Sequence, residues 1–220
     1  MASLISSVSP KDGFHPISTT AIYLPKFNPL CTLHLHFSLQ PLIFVDPYEL
    51  AHHEEFYTFK HWGTSNLELP VTAVDEGGSA VLLNVDVPEG AREVEVRVPL
   101  HLRYGDPAQT SSSGHHSVEM AWPTGFLVCP LDASIHTSSP INLPAEVFSL
   151  FDLKTTSIID ISPNGTHPFD TVRVPTGNPA DVGFVEFGTM FTILFSFFYL
   201  LRAALATARR MNKSSGIKRD

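Results

Sequence analysis

Histidine is the residue type best suited to do chemistry in this 220-residue sequence, which contains eleven of them. His34 and His36 sit two apart on one strand-like face, and His52-His53 and His115-His116 are adjacent pairs. Imidazoles so placed could contribute to a zinc site, but such a site needs three or four converging ligands held by outer-shell partners. No such convergence is visible. The only cysteines are Cys31 and Cys129, with no CxxC. A glycine-rich phosphate loop, a GxSxG elbow and the DxD pattern of metal-bound sugar nucleotides are also missing. The histidines therefore read as solvated or partner-facing groups, and Asp46, Glu49, Glu54 and Glu55 as a solvated rim near Tyr48. The expectation is a chain with no catalytic residues, no metal and no cofactor. A histidine-dependent metalloenzyme is the competing reading, which stoichiometric bound metal would mark. For Cys31 and Cys129, a disulfide in an oxidising compartment and two buried free thiols both remain open, because pairing depends on a Cα separation that spacing does not reveal.

The elements that would position these groups are strands. Val94, Val96, Val98, Leu100 and Leu102 alternate with Glu93, Glu95, Arg97, His101 and Arg103, as in a half-buried strand. Val81, Leu83, Val85 and Val87 form a second row, and the intervening Pro88-Glu89-Gly90-Ala91 predicts a hairpin between the two. Cys31–Leu39 predicts a strand with Leu33, Leu35, Phe37 and Leu39 inward and His34 and His36 outward. Shorter candidates are Glu55–Lys60, Leu67–Ala73, Gly125–Cys129, Val147–Leu153, Ser157–Ile161 and Thr171–Val174, with Ala108–Ser117 as a polar exposed loop. Eighteen prolines disfavour long soluble helices. These features predict an all-β, β-sandwich-like domain.

Charge divides the chain. Residues 1–201 carry eight Lys or Arg against 21 Asp or Glu, whereas residues 202–220 carry six basic residues against one acidic residue. An acidic body is unsuited to nucleic acid, whose phosphates demand a basic face. Phe187–Leu201 is uncharged and would rise about 22 Å as a helix, so flanking turns must complete a span of a bilayer core of about 27 Å. Basic residues favour the cytosolic side, which leaves the body lumenal. Met1–Leu24 lacks the charged start and apolar run of a secretory signal, so either translocation depends on the single span or the true start lies upstream. A tail-anchored protein with a cytosolic body is the competing topology. The expected organisation is an N-terminal segment at 1–25, a lumenal β domain at 26–174 and a linker at 175–181. A transmembrane helix at 182–206 and a basic cytosolic tail at 207–220 follow.

The strongest strand continues as Val98-Pro99-Leu100-His101-Leu102-Arg103-Tyr104-Gly105-Asp106-Pro107, which closely resembles the PxHxRYxxP signature of the PIG-X/PBN family. Val45-Asp46-Pro47-Tyr48-Glu49-Leu50, Trp122-Pro123 through Cys129-Pro130, and Val174-Pro175-Thr176-Gly177 also match, in consistent order over roughly residues 40–205. The resemblance implies a non-catalytic accessory subunit of the endoplasmic reticulum glycosylphosphatidylinositol (GPI) mannosyltransferase I. In that complex a multispanning PIG-M-type subunit transfers the first mannose from dolichol-phosphate mannose to the GPI precursor. A membrane-anchored lumenal chaperone for several glycoproteins is the alternative.

Two surfaces are the candidate partner contacts. One is the polar face of the signature strand, His101, Arg103 and Tyr104, where Arg103 could instead serve an internal ion pair. The other is the Gly188, Thr192 and Ser196 face of the span, where small residues every four positions allow close helix approach. The sequence also holds two glycosylation sequons, Asn164-Gly165-Thr166 and Asn212-Lys213-Ser214, which the proposed topology separates across the bilayer. Glycosidase treatment should shift the gel mobility of the chain, and Asn164→Gln should abolish that shift. A shift lost instead in Asn212→Gln reverses the topology.

Overall fold

A computed structural model of the chain describes residues 2–64, 66, 69–74, 76–105, 114–131, 141–165 and 167–216, with side chains through 212, and fifteen strands and α-helices lie among these residues. The first half contains β1 (Ser3–Ser9), β2 (Ile17–Tyr23), β3 (Thr32–Leu39), β4 (Ile43–Phe44), α1 (Pro47–Ala51), β5 (Tyr57–Trp62) and β6 (Ser79–Val85). Then come β7 (Glu93–Pro99), β8 (His101–Leu102), β9 (His115–Ala121), β10 (Thr124–Pro130), α2 (Ala145–Phe148), β11 (Thr156–Pro163), β12 (Phe169–Pro175) and α3 (Val182–Gly216). They fall into two units, a β body and the unit that carries α3.

In the body, eight strands form one curled sheet in the order β5-β6-β3-β10-β11-β1-β2-β7. All its pairings are antiparallel except β1 with β11, a short parallel contact through Ser3 and Leu4. That short join lets the sheet fold into two facing halves. Leu33, Leu35, Val81 and Leu83 of one half and Leu4, Ile22, Val96 and Val98 of the other enter a common core. The Tyr57 hydroxyl donates to the Arg97 carbonyl at 3.3 Å, tying edge strand β5 to edge strand β7. A β9–β12 pair adds Val118, Met120, Val172 and Val174 to the same core. The all-β, sandwich-like reading agrees with this architecture.

Several expectations are corrected. The N-terminal segment is not outside the domain, because β1 and β2 lie within the main sheet. Their inward positions include Ser6, Ser18 and Thr20, which interrupt the apolar alternation. These three hydroxyls are buried together, with Ser6 Oγ 2.9 Å from Thr20 Oγ1, so their polarity is internally satisfied. The predicted hairpin between β6 and β7 does not form. β6 pairs with β3 and β5, β7 pairs with β2, and the Pro88–Gly90 turn carries the chain from one half to the other. The two apolar rows meet across the core instead of side by side. Val71–Ala73 is a short 3-10 turn, and Val147 lies in α2, so neither predicted strand is present there among the described residues. Residues 67–68, most of the predicted 108–117 loop and the end of the basic tail lie outside the described residues.

His34 and His36 do face away from Leu33 and Leu35, but that face is buried. A second apolar cluster of Leu82, Phe126, Val128, Leu143, Val147 and Ile158 covers it. The His34 ring stacks on Phe126 at 5.3 Å and meets Phe151 edge-on at 5.1 Å, and Thr32 Oγ1 lies 2.8 Å from its Nε2. Burial lowers the pKa of His34 to about 4 and also lowers that of His36.

Cys31 and Cys129 are joined in a disulfide with their Cα atoms 4.2 Å apart, which resolves the alternatives held open above. Both are buried where β3 meets β10. Closing a loop over a sequence separation of 98 contributes about 4–5 kcal/mol by the chain-entropy account.

In the second unit, Asn178 caps a 3-10 turn through the Ala180 N–H at 2.9 Å, and α3 follows. α3 is long and apolar enough to cross a membrane, and its apolar side chains are exposed. Its 35 residues would rise about 52 Å, more than a bilayer core needs. The helix thus runs past residue 206 through Arg209 and Arg210 to Gly216, carried by the helix-favouring Ala203–Ala208 segment.

The buried histidines generate a pH prediction. Their folded-state pKa values lie below the unfolded value of about 6.5, so acid protonates the unfolded chain preferentially. The His34 contribution is full above about pH 6.5 and declines as pH falls toward 4, by up to about 3 kcal/mol, and His36 acts in the same direction. Calorimetry of the detergent-solubilised chain should show the melting midpoint falling across that window, with a shallower fall in His34→Leu. Identical slopes contradict this account.

Candidate functional site

The family-like signature runs out of β7 into β8 and is gripped from both sides. After Pro99, the Leu100 N–H donates to the Pro16 carbonyl and the Leu102 N–H to the Phe14 carbonyl, both at 2.9 Å. On the other flank β8 pairs with β4, placing His101 opposite Phe44, and the Arg103 N–H donates to the Leu42 carbonyl at 2.8 Å. Strand alternation then sends Leu100 and Leu102 into the core. His101 is left in a niche between His15 and Phe44.

The group that meets it comes from α1. Asp46 caps this helix, its carboxylate accepting the Tyr48 N–H at 2.9 Å, and Pro47 pre-sets the first turn. Leu50 then enters the core, and Glu49 reaches His101, Oε2 to Nε2, at 2.6 Å. The two Nδ1 atoms of His101 and His15 are 2.9 Å apart. One of these two nitrogens must accept, so a neutral His101 that donates through Nε2 to Glu49 receives the His15 Nδ1–H. The result is a Glu49–His101–His15 chain joining α1, β8 and the loop before β2. Glu49 also lies near Tyr57, whose phenol pKa is pushed up to about 12 by burial first and by that carboxylate second. Glu49, still half-exposed, is therefore a joint as well as part of the rim.

Arg103 is a core group, only 5% exposed. Its Nη1 donates to the Leu69 carbonyl at 2.8 Å, and its guanidinium lies 4.3 Å from the centre of the Phe44 ring. His101 stacks on the same ring at 5.3 Å. Burial lowers the Arg103 pKa. Of the two roles held open, this placement suits the internal one, with Arg103 as an internal brace. Tyr104 is 73% exposed, with its ring 4.5 Å from Phe14. Tyr48, on α1, is also exposed. The site thus has a polar, aromatic-braced interior and a tyrosine surface.

The remaining candidates lie elsewhere. Gly188, Thr192 and Ser196 are exposed along α3, where Thr192 Oγ1 donates to the Gly188 carbonyl at 2.8 Å. Asn164 is exposed, and its backbone N–H donates to the Leu4 carbonyl at 2.7 Å; Thr166 of its sequon lies outside the described residues. His53 stacks on Tyr57, whereas His52, His115 and His116 are exposed. Among the described residues, no group of three or more His, Cys, Asp or Glu is arranged to hold a metal ion. A cleft of about 990 Å³ opens at the opposite end of the curl, lined by Phe27, Tyr57, Val87, Glu54, Asp86 and Arg92 among others. Sequence reading missed His15, Phe44 and Glu49 in the joint. The Asp46-Pro47 pair was the available signal, because it marks a helix start and so puts Glu49 on an ordered turn.

Comparison with known proteins adds an independent observation. The model of the PIG-X / PBN1 family matches residues 11–205, which brings in His15 and β2 as well as the stretches noted above. Protein pbn1 of Aspergillus oryzae is 29% identical over 86% of this chain and 39% of its own length. Protein pbn1 of Emericella nidulans is 28% identical over 95% and 44%. Protein pbn1 of Schizosaccharomyces pombe is 24% identical over 86% and 55%. The chain therefore spans from about two fifths to just over half the length of these curated relatives. With the family model covering most of its residues, the chain belongs to the PIG-X / PBN1 family.

Proposed function

We propose that this chain is a non-catalytic, stabilising subunit of the endoplasmic reticulum GPI mannosyltransferase I complex. In this reading it is required for transfer of the first mannose from dolichol-phosphate mannose to the GPI precursor. Its body stands in the lumen, α3 crosses the membrane, and the basic end remains cytosolic. The partner is a multispanning PIG-M-type catalytic subunit.

One observation carries the reading. His101 and Arg103 of the family-like signature hold the chain's own elements together, His101 through Glu49 and Arg103 through Leu69 and Phe44. Groups held in that way build a rigid support, and the exposed Tyr104 and Tyr48 beside them offer a binding face. Tyrosine suits such a face because it contributes a large contact area at low entropic cost and keeps a polar end. Two further features support the orientation. A buried disulfide suits an oxidising compartment. Arg202, Arg209 and Arg210 at the far end of α3 suit the cytosolic face.

Affinity capture of the full-length chain should recover one dominant multispanning mannosyltransferase, and recovery of many unrelated glycoproteins instead points to a general lumenal chaperone. Arg103→Ala should lower the abundance of the chain itself, because it removes a charged hydrogen bond worth about 1.5–3 kcal/mol in a buried setting. Tyr104→Ala should leave abundance intact and reduce recovery of the partner several-fold. Full partner recovery with Tyr104→Ala removes this face from the proposal. Gly188→Leu with Ser196→Leu tests the α3 face in the same assay, by loss or retention of the partner.

A further inference from the structure

Sheet faces in the body are treated unequally. The outer face around His34 is covered by the second apolar cluster, but the outer face of β1, β2 and β7 carries half-exposed apolar side chains. Register places Ile5 opposite Ala21, and Tyr23 opposite both Ser3 and Glu93. Ile5 is 48% exposed and Tyr23 49%. These residues line a shallow groove of about 200 Å³ with Ser3, Ala21, Glu93 and, at its end, Asn164.

Asn164 is fixed in that position. Its N–H is bonded to the Leu4 carbonyl, between the groove residues Ser3 and Ile5. The following residue is Gly165, where a Cβ would come within 3.1 Å of the Trp122 ring. The Trp122 indole is itself anchored, donating to Asp170 at 3.1 Å. Gly165 therefore lies close to an anchored ring just past the end of β11, beside the groove.

We infer that the first sugar of an N-linked glycan on Asn164 seats in the Ile5–Ala21–Tyr23 groove and serves as a structural cover for this sheet face. The inference rests on the lumenal orientation proposed above. Attachment joins the Asn164 amide nitrogen to the anomeric carbon of the oligosaccharide, with loss of an amide proton and departure of the donor's polyprenyl pyrophosphate. An N-acetylglucosamine ring has one face of C–H bonds and an edge of hydroxyl and amide groups. The C–H face matches the floor of Ile5, Ala21 and the Tyr23 ring, where burial removes apolar surface from water. The polar edge matches the Glu93 carboxylate, which accepts hydrogen bonds from sugar hydroxyls. Because the sugar is tethered to a residue of the groove itself, weak contacts suffice at the high effective concentration of a short link.

The test uses the full-length chain from secretory-competent cells, in detergent, trimmed with endoglycosidase H to a single N-acetylglucosamine. It is compared with Asn164→Gln in both the Tyr23 and the Tyr23→Ser backgrounds, a cycle that isolates the sugar–tyrosine coupling. The trimmed chain should melt about 2–4 °C above Asn164→Gln. That difference should vanish with Tyr23→Ser and persist with Tyr23→Phe. Hydroxyl-radical footprinting, which needs no groove variant, should find Tyr23 oxidised several-fold less in the trimmed chain than in Asn164→Gln. Equal midpoints and equal oxidation with Asn164 occupied overturn the groove assignment alone. An unmodified Asn164 overturns the orientation and, with it, this inference.

Discussion

The pairing of β3 with β10 is the contact on which the rest of the body depends. In the sheet order these strands are the third and fourth of eight, so they join the β5–β6 side to β11 and everything beyond it. The Cys31–Cys129 bond closes this pair at one end across 98 residues of sequence. A non-local contact of that span is entropically costly for a chain to form and maintain, and a covalent link shifts that cost onto the unfolded state. Both faces of the pair are then buried. Leu33, Leu35 and Cys129 serve the main core, and His34 and Phe126 serve the second cluster. A strand pair buried on both faces and covalently closed is a rigid base for the curl.

That curl explains how the signature residues come together. The β2–β7 pairing sets the loop before β2 beside the end of β7, and folding the sheet into two halves brings α1, which precedes β5, to the same place. There, β8 is held between residues 14–16 and β4. α1 then delivers Glu49 to His101, and Phe44 braces both His101 and Arg103. Two stretches that match the family, one around Asp46-Pro47 and one around Pro99–Tyr104, are thus two sides of a single joint. Within that joint, Glu49, His101, Phe44 and Arg103 support one another, and Tyr48 and Tyr104 of the same two stretches stay exposed.

What was legible in the sequence follows from where alternation was intact. β3, β6, β7 and β10 each carry an apolar row, and each was recognisable. β1 and β2 were not, because Ser6, Ser18 and Thr20 occupy inward positions and satisfy one another only when the strands are already paired. Periodicity assigns a residue to a face but does not say what covers that face, so His34 and His36 read as solvated when α2 and its neighbours bury them. Strand pairing was equally hidden. β6 and β7 are consecutive with matched rows and a turn between them, yet their hydrogen-bonding partners are β3, β5 and β2. The Glu49–His101 contact links residues 52 apart, a separation at which local pattern carries no information. The apolar helix, by contrast, was legible from composition alone, although its continuation to Gly216 was not.

The functional reading joins three physical features. A stapled β body is suited to an oxidising compartment, one exposed apolar helix is suited to a bilayer, and His101 and Arg103 of the family-like signature serve as internal braces. Together they fit the stabilising role proposed above. The claim that the body lies on the oxidising side of the membrane underlies all of it, and thiol counting in cells tests that claim most directly. Free thiols of the full-length chain would be blocked in situ, and the denatured protein then treated with a polymer-bearing maleimide before and after reduction. The account predicts that neither of the two cysteines is blocked in situ and that both react after reduction. Blocking of both cysteines in the cell, with no further reaction after reduction, would contradict it.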